Sequence, residues 1–388
     1  MKKINVLSLT SILPIPGIRK INDFLIPLYQ EYLKITPDSK VVFLLPRTFY
    51  PFSIKRIKVL KIKKFNLEGF PVFIFPYLSF QKLRNLHALL CYTLFLFNRK
   101  AIKKLIRDEE IDIIHAEFIF PDGLLAYLLK KKMGIPYLVT THNESRYFNR
   151  LISRKLSTKI LKNADKVTPL NYYQKELYER YGIKSPLVVA HGIDEVFINK
   201  KPVEHNSDNV KLITIAALIK LKNIDKILHA LGKLKDKYDF TYTVIGSGPE
   251  KEFLLHLAKE YQINERVEFI DRVPYDEIPE MLSRHEIFVM PSYFESFGRV
   301  FFEAMAVGLP IICAKNTGVH KYFTEMKEGV SVDHTNIDEL TEKLELLISD
   351  KKLRNKMSEN AARFAGNFSW NDIAKQFYNL YHQSFYKE

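Results

Sequence analysis

The chain has 388 residues, 47% of them hydrophobic and 27% charged, with a formal net charge of +15. Such a length suits two domains of about 150–200 residues each, and the composition excludes a disordered, collagen-like or disulfide-stapled chain. Cysteine is confined to Cys91 and Cys313, far apart and without C-x-x-C spacing; neither a cysteine metal site nor a disulfide is expected, and a reducing compartment is.

The first residues, MKKINVLSLTSILPIPG, superficially look like a secretion signal. The apolar run is short, prolines follow it and no small-residue cleavage site is clear, so INVLSL (4–9) reads as a first buried strand. Further strand-like runs are KVVFLL (40–45), PVFIF (71–75), DIIHA (112–116), PYLVTT (136–141), KVTPL (166–170) and PLVVA (186–190). Amphipathic helical patterns lie between most of them, at 22–34, 100–107, 122–132 and 172–181. The apolar run 86–97 is too short to span a bilayer as a helix, which needs about 20 residues. No transmembrane segment is expected, and a cytoplasmic location is.

A polar stretch, 194–209, reads as an interdomain linker. The alternation then restarts with KLITIAAL, TYTVIG, VEFI, EIFVMP and PIICA as strands, and helices near 222–237, 249–261, 277–283, 299–308 and 336–348. An amphipathic helix, 369–388, closes the chain, anchored by Trp370 and placed to cross back onto the first domain. The fold class is therefore α/β: two Rossmann-like domains, 1–195 and 196–370, with parallel sheets facing a central cleft and the helix at about 371–388 returning to the first.

The charge is lopsided. Residues 1–200 hold 34 basic and 16 acidic side chains, residues 201–388 hold 25 and 28, and the stretch 51–107 holds 13 basic to 1 acidic, with Phe, Tyr and Leu interleaved. Basic residues beside apolar ones suit an anionic membrane surface; a plain solvated basic face is the alternative, and no nucleic-acid module accompanies the charge.

The stretch 292–310 reads SYFESFGRVFFEAMAVGLP, strand end, loop and helix start. Free amides at a helix N-terminus favour an anion, and Gly298 lets the backbone approach a phosphate. Glu303 falls in the second turn and leans back toward that end. Its carboxylate can accept from both hydroxyls of a ribose, or pair with a nearby Lys or Arg. Glu295, in the loop, can accept from hydroxyls beyond the phosphates.

FVMPSYFESFGRVFFEAMAVGLPII resembles the signature of the retaining GT-B glycosyltransferases of the "glycosyl transferases group 1" type, family 4: E-S-F-G, a second glutamate in E-x7-E spacing, then EAMA-x-G-x-P. HGID (191–194), LIKLKNIDKILHAL (218–231), VIGSGPEKEFL (244–254) and VEFIDRVPYDEIPEML (267–282) agree in order, and HAEFIFPDGLLAYLLKKKMGIPYLVTTHN (115–143) more loosely. The resemblance implies that Glu303 holds the donor's ribose hydroxyls and Glu295 contacts the donor sugar. Backbone amides around Phe297, Gly298, Arg299 and Val300 would bind sugar and diphosphate oxygens, with Lys222 neutralising the diphosphate. Gly246 and Gly248 would shape a loop near the base, which the backbone at Arg272, Val273 and Pro274 reads. His142 would face the donor sugar from the first domain, although Asn143 stands where the family has glycine. Gly17 is the lone glycine of a first-strand loop that approaches the diphosphate. His115, Asp122 and His191 are lesser candidates. Where members carry Gly-Arg this chain has Ala216-Ala217, so the usual arginine partner of the lysine is missing from its place; Lys220 and Arg299 are the candidates to replace it.

No D-x-D motif at a strand end and no His/Cys cluster suggests a metal, and the resemblance implies metal-independent transfer with retention of configuration. No cofactor is expected beyond the nucleotide-sugar co-substrate. The expected activity moves a hexose or amino sugar from a UDP-sugar, or secondarily a GDP-sugar, to a hydroxyl of a lipid-linked or polysaccharide acceptor. The implied setting is capsule, lipopolysaccharide or exopolysaccharide synthesis, peripheral on the inner membrane face. The alternatives are a non-catalytic membrane- or polyanion-binding protein on a decayed fold, and another GT-B enzyme such as a sugar-nucleotide epimerase.

Overall fold

The computed structural model describes residues 2–15, 24–49, 64–78, 87–142, 144–200 and 209–386. Gly17, Asn143, and the parts 51–63 and 79–86 of the basic stretch lie outside the described residues. The chain divides into two compact units: Met1–Gly192 with Trp370–Glu388, and Ile193–Ser369.

The first unit is built on a seven-stranded sheet of β1 (Val6–Leu9), β2 (Val41–Phe49), β3 (Lys64–Leu67), β4 (Phe70–Leu78), β5 (Ile113–Ala116), β6 (Tyr137–Thr141) and β7 (Lys166–Pro169). The spatial order is β3-β4-β2-β1-β5-β6-β7. The central strands are buried on both faces, which explains why they read as continuous apolar runs rather than alternating ones. Two expectations change here. The sheet is not wholly parallel: β3 pairs antiparallel with β4 through a tight turn in which Glu68 and Gly69 both have positive φ, 48° and 93°. Two left-handed residues match the twist of a two-residue hairpin. The run PLVVA is not a ladder strand. Leu187 and Val189 donate to the carbonyls of Val167 and Pro169, at 3.0 and 3.2 Å, so the run lies along β7 without forming a ladder strand.

The closing helix, Trp370–Tyr386, packs on the helix Leu25–Ile35 of the same unit. Tyr32 and Tyr381 meet edge to face at 5.5 Å, and Tyr381 reaches the strand layer through His115. Residues from the sequence ends thus share one core, and the second unit is an insertion between Gly192 and Trp370.

The second unit carries β8 (Val210–Ile215), β9 (Phe240–Ile245), β10 (Val267–Ile270), β11 (Ile287–Met290), β12 (Ile311–Ala314) and β13 (Gly329–Val332), all parallel, in the order β10-β9-β8-β11-β12-β13. Its helices show why they form. Ile224–Leu234 buries Ile224, Ile227, Leu228, Leu231 and Leu234, a helical stripe facing the sheet. Ile337–Ser349 and Lys351–Ala365 are capped by Asn336 and Asp350, whose side chains accept from amides three residues on. In both units the connection direction reverses beside the first strand, between β1 and β5 and between β8 and β11. The carboxyl ends of strands at such a reversal are where open α/β sheets bind ligands.

Candidate active site

In the second unit, the loops leaving β8 and β11 meet at that reversal. Two hydrogen bonds stitch them together: Asn223 Nδ2 donates to the Pro291 carbonyl at 2.7 Å, and the Tyr293 amide donates to the Leu221 carbonyl at 2.8 Å. Asn223 holds the left-handed conformation, φ 51°, that lets the chain turn here into the next helix. The stitch sets Lys222 against Glu295, and the two form an ion pair with both side chains largely buried. The residues expected to neutralise diphosphate and to contact sugar are therefore in direct contact with each other.

Gly298 ends the loop at φ +77° and the helix Arg299–Ala306 begins. A Cβ at Gly298 would lie 2.8 Å from the Phe301 ring, so glycine is required both by conformation and by space. In the first turn the Phe301 amide donates to the Gly298 carbonyl at 2.9 Å, which leaves the Arg299 and Val300 amides with no acceptor one turn back in the helix, the kind of donor that favours an anion. Phe297 is a buried ring stacked on Phe302 at 4.4 Å, so it contributes backbone to the site and its side chain to the core. Val300 stays partly exposed on the first turn.

Glu303, 5% exposed, has protein partners. Its Oε1 accepts from Arg299 Nε at 2.8 Å and from the Tyr275 hydroxyl at 2.8 Å. Burial pushes its carboxyl above the usual range, with the Arg299 guanidinium pulling the other way. Arg299 also donates to the Tyr275 oxygen at 3.0 Å and lies over its ring. It is thus engaged with Glu303 and Tyr275, while the partner of Lys222 is Glu295; Lys220 is exposed. Gly246 and Gly248 sit where any Cβ would strike the backbone, 1.8 Å from the Ala216 oxygen and 2.2 Å from the Leu218 oxygen. They bring the loop after β9 against the loop after β8. The Gly246 amide in turn bonds the Ile270 carbonyl at 2.8 Å, which aligns the following Arg272, Val273 and Pro274 beside them.

In the first unit, Glu117 leaves β5 fully buried and accepts from His142 Nε2 at 3.0 Å. The His142 ring lies between Phe118, Phe24 and His191, with centroids at 4.8, 5.1 and 5.3 Å. His115 is a core histidine with both nitrogens bonded: Nδ1 to the hydroxyls of Tyr381 and Tyr29 at 2.6 and 3.1 Å, Nε2 to Thr140 at 2.7 Å. Its candidacy as a site residue is withdrawn on that ground. Asp122 is fully buried, held by Ser11 Oγ at 3.1 Å. Sequence reasoning missed Tyr275, Glu117 and Asp194, whose Oδ2 accepts from the Tyr275 hydroxyl at 2.7 Å. Tyr275 directly follows Pro274 in the base-facing loop, and Glu117 stands one residue beyond a strand end, so position gave a signal that composition did not.

Two family models match: "Glycosyl transferases group 1" over residues 195–364 and "Glycosyltransferase Family 4" over residues 75–196. The chain is a group 1 glycosyltransferase. The enzyme is 26% identical over 270 residues to an uncharacterized glycosyltransferase of Methanocaldococcus jannaschii, covering 69% of this chain and 74% of that one. It is 28% identical over 298 residues to the O-antigen biosynthesis glycosyltransferase WclY of Escherichia coli, covering 71% and 80%. Its fold matches that of Anabaena HepE, solved in complex with UDP, with a TM-score of 0.70 at 18% identity over 97% of this chain and 99% of that one. The two sheets with their helices are the GT-B fold.

Proposed function

We propose that the enzyme transfers a hexose or amino sugar from a UDP-sugar, with GDP-sugar as the second candidate, to a hydroxyl of a lipid-linked or polysaccharide acceptor during cell-envelope glycan synthesis. The observation that carries the reading is the gathering, at one sheet reversal, of the Lys222–Glu295 pair, the amide-bearing start of the helix Arg299–Ala306, and the buried Glu303. Those groups supply a cation, anion-binding amides and a hydroxyl acceptor in the order that an elongated nucleotide-sugar needs. The O-antigen relative and the UDP complex of a fold neighbour agree with an envelope role and a uridine nucleotide.

In this reading Glu303 binds the ribose, the helix amides hold phosphate oxygens, and Lys222 exchanges part of its bond to Glu295 for the diphosphate. Glu295 is then released to orient sugar hydroxyls. The C1–oxygen bond breaks toward the diphosphate, which leaves with the electron pair. The acceptor hydroxyl attacks C1 from the same face and passes its proton to the departing phosphate oxygen, retaining configuration. Positive side chains and helix amides stabilise the leaving group without a metal. Under this proposal the first unit receives the acceptor. The enzyme is cytoplasmic and rests peripherally on the inner membrane face, held by the basic stretch 51–107 with no nucleic-acid partner. Among the described residues of that stretch, Leu96 and Phe97 are 59% and 64% exposed, beside Arg99 and Lys100.

The test is nucleoside diphosphate release from a panel of UDP- and GDP-sugars, with membrane lipid extract as acceptor. One donor should be turned over, unaffected by EDTA, and Lys222→Met should lower the rate by about 10²–10³-fold, the usual cost of losing one charge-stabilising group. No release from any donor would overturn the activity, and loss of activity in EDTA would overturn metal independence.

A further inference from the structure

Tyr275 is held in an unusual proton count. Its hydroxyl oxygen lies 2.7 Å from Asp194 Oδ2, 2.8 Å from Glu303 Oε1 and 3.0 Å from Arg299 Nη2. A phenol has one proton. Having accepted from Arg299, it can donate fully to one of the two carboxylates, and the other oxygen–oxygen contact is left short of a proton. Glu303 Oε2, meanwhile, has no hydrogen-bond partner among the described residues. The cluster is rich in acceptors and poor in donors. A vicinal diol supplies the two protons it lacks.

We infer that Tyr275 is a second ligand for the ribose diol, completing with Glu303 a site that demands both hydroxyls. This rests on the assignment of Glu303 as the ribose carboxylate. One hydroxyl donates to Glu303 Oε2. The other bridges the phenol oxygen and Oε1 and supplies the missing proton, while the phenol's own proton settles on Asp194. Tyr275 is placed for this by its loop. It is 38% exposed, it opens the short turn Tyr275–Glu277 directly after Pro274, and its ring leans on Phe197 at 5.6 Å. A site that is left with unpaired acceptors rejects a ligand lacking the matching hydroxyl more strongly than an apolar pocket rejects a change of shape. Tyr275 therefore makes the enzyme select ribonucleotides over 2′-deoxyribonucleotides.

The experiment is calorimetric titration of the full chain with UDP, GDP and their 2′-deoxy forms, for the wild type, Tyr275→Phe and Glu303→Gln. Phenylalanine keeps the ring and its contact with Phe197, so folding is preserved; circular dichroism checks it. The wild type should prefer the ribonucleotide by about tenfold or more, the worth of one or two hydrogen bonds to charged partners. Tyr275→Phe should weaken the ribonucleotide by about tenfold and the deoxy form hardly at all, collapsing the preference. If Glu303→Gln loses binding but Tyr275→Phe keeps the wild-type preference, the ribose assignment stands and the role of Tyr275 falls. Tighter ribonucleotide binding by Tyr275→Phe would also overturn it, because the phenol would then merely plug the carboxylate. If the wild type binds none of the four nucleotides, the ribose assignment itself fails and Tyr275 with it.

Discussion

Glu303 and Asp122 are both buried carboxyls, yet their surroundings differ. Glu303 has a guanidinium four residues before it, a pairing readable from helical spacing alone. Its phenol partner comes from 28 residues away, which no local pattern could show. Asp122 is held by the hydroxyl and the backbone amide of Ser11, and burial pushes its carboxyl well above the usual range, with the Glu117 charge adding to the rise. A carboxyl that binds its proton more tightly folded than unfolded contributes stability below the unfolded pKa, and that contribution is lost as pH rises through the folded pKa. Asp122→Asn removes the titration. Its melting temperature relative to the wild type should therefore climb as pH is raised from about 4 to about 8, starting near the ordinary Asp value of about 3.9. A difference that stays constant across that range would contradict this account of Asp122. The Glu117–His142 bond was hidden for the same reason as the tyrosine: it joins the ends of two different strands.

Among the elements, the helix Arg299–Ala306 shows how much a short segment can reveal. Its start at Gly298 was legible because a glycine between a polar loop and an apolar helical run marks a change of backbone hand. Gly298→Ala forces a left-handed alanine and a contact with Phe301, so it should cost about 1–3 kcal/mol in urea unfolding. Donor turnover should fall further than stability does, since the same turn aims the amides. Wild-type turnover in a folded Gly298→Ala protein would remove those amides from the mechanism. Other elements left fainter traces. β3 and β13 are four residues each, too short for alternation to declare itself. The helix Lys351–Ala365 buries Arg354, Met357, Ala361 and Ala365, a stripe carried by small residues and a charged one rather than by large apolar side chains. Arg354 is satisfied there by Glu286 at 3.0 Å and by the carbonyls of Leu347 and Ile348. PLVVA had the composition of a strand, yet its two backbone bonds to β7 stop short of a ladder.

For the whole molecule, strand–helix alternation interrupted once was enough to show two α/β halves, because parallel sheets require a crossover after nearly every strand. The family was legible through motif resemblance rather than through periodicity, which carries no chemistry. The uneven charge leads to a separate prediction. No helix among the described residues is long and apolar enough to cross a membrane, and the proposed attachment is through surface contacts. Vesicles containing anionic phospholipid should sediment the enzyme, and about 0.5 M salt should release it, since the attraction decays within a Debye length. Replacing both Leu96 and Phe97 by serine should weaken binding by about tenfold or more. Equal binding to neutral vesicles, or no effect of either change, would contradict the membrane reading. The central claim is that the second unit is a nucleoside diphosphate site built on Glu303, and thermal unfolding with UDP, GDP, ADP and CDP at matched concentrations tests it most directly. A ligand bound only by the folded state adds about 2.7 kcal/mol at a hundredfold excess over Kd. The account predicts that one nucleotide, UDP first, raises the melting temperature of the wild type and leaves that of Glu303→Ala unchanged. An equal rise in both proteins, or no rise with any of the four, would contradict it.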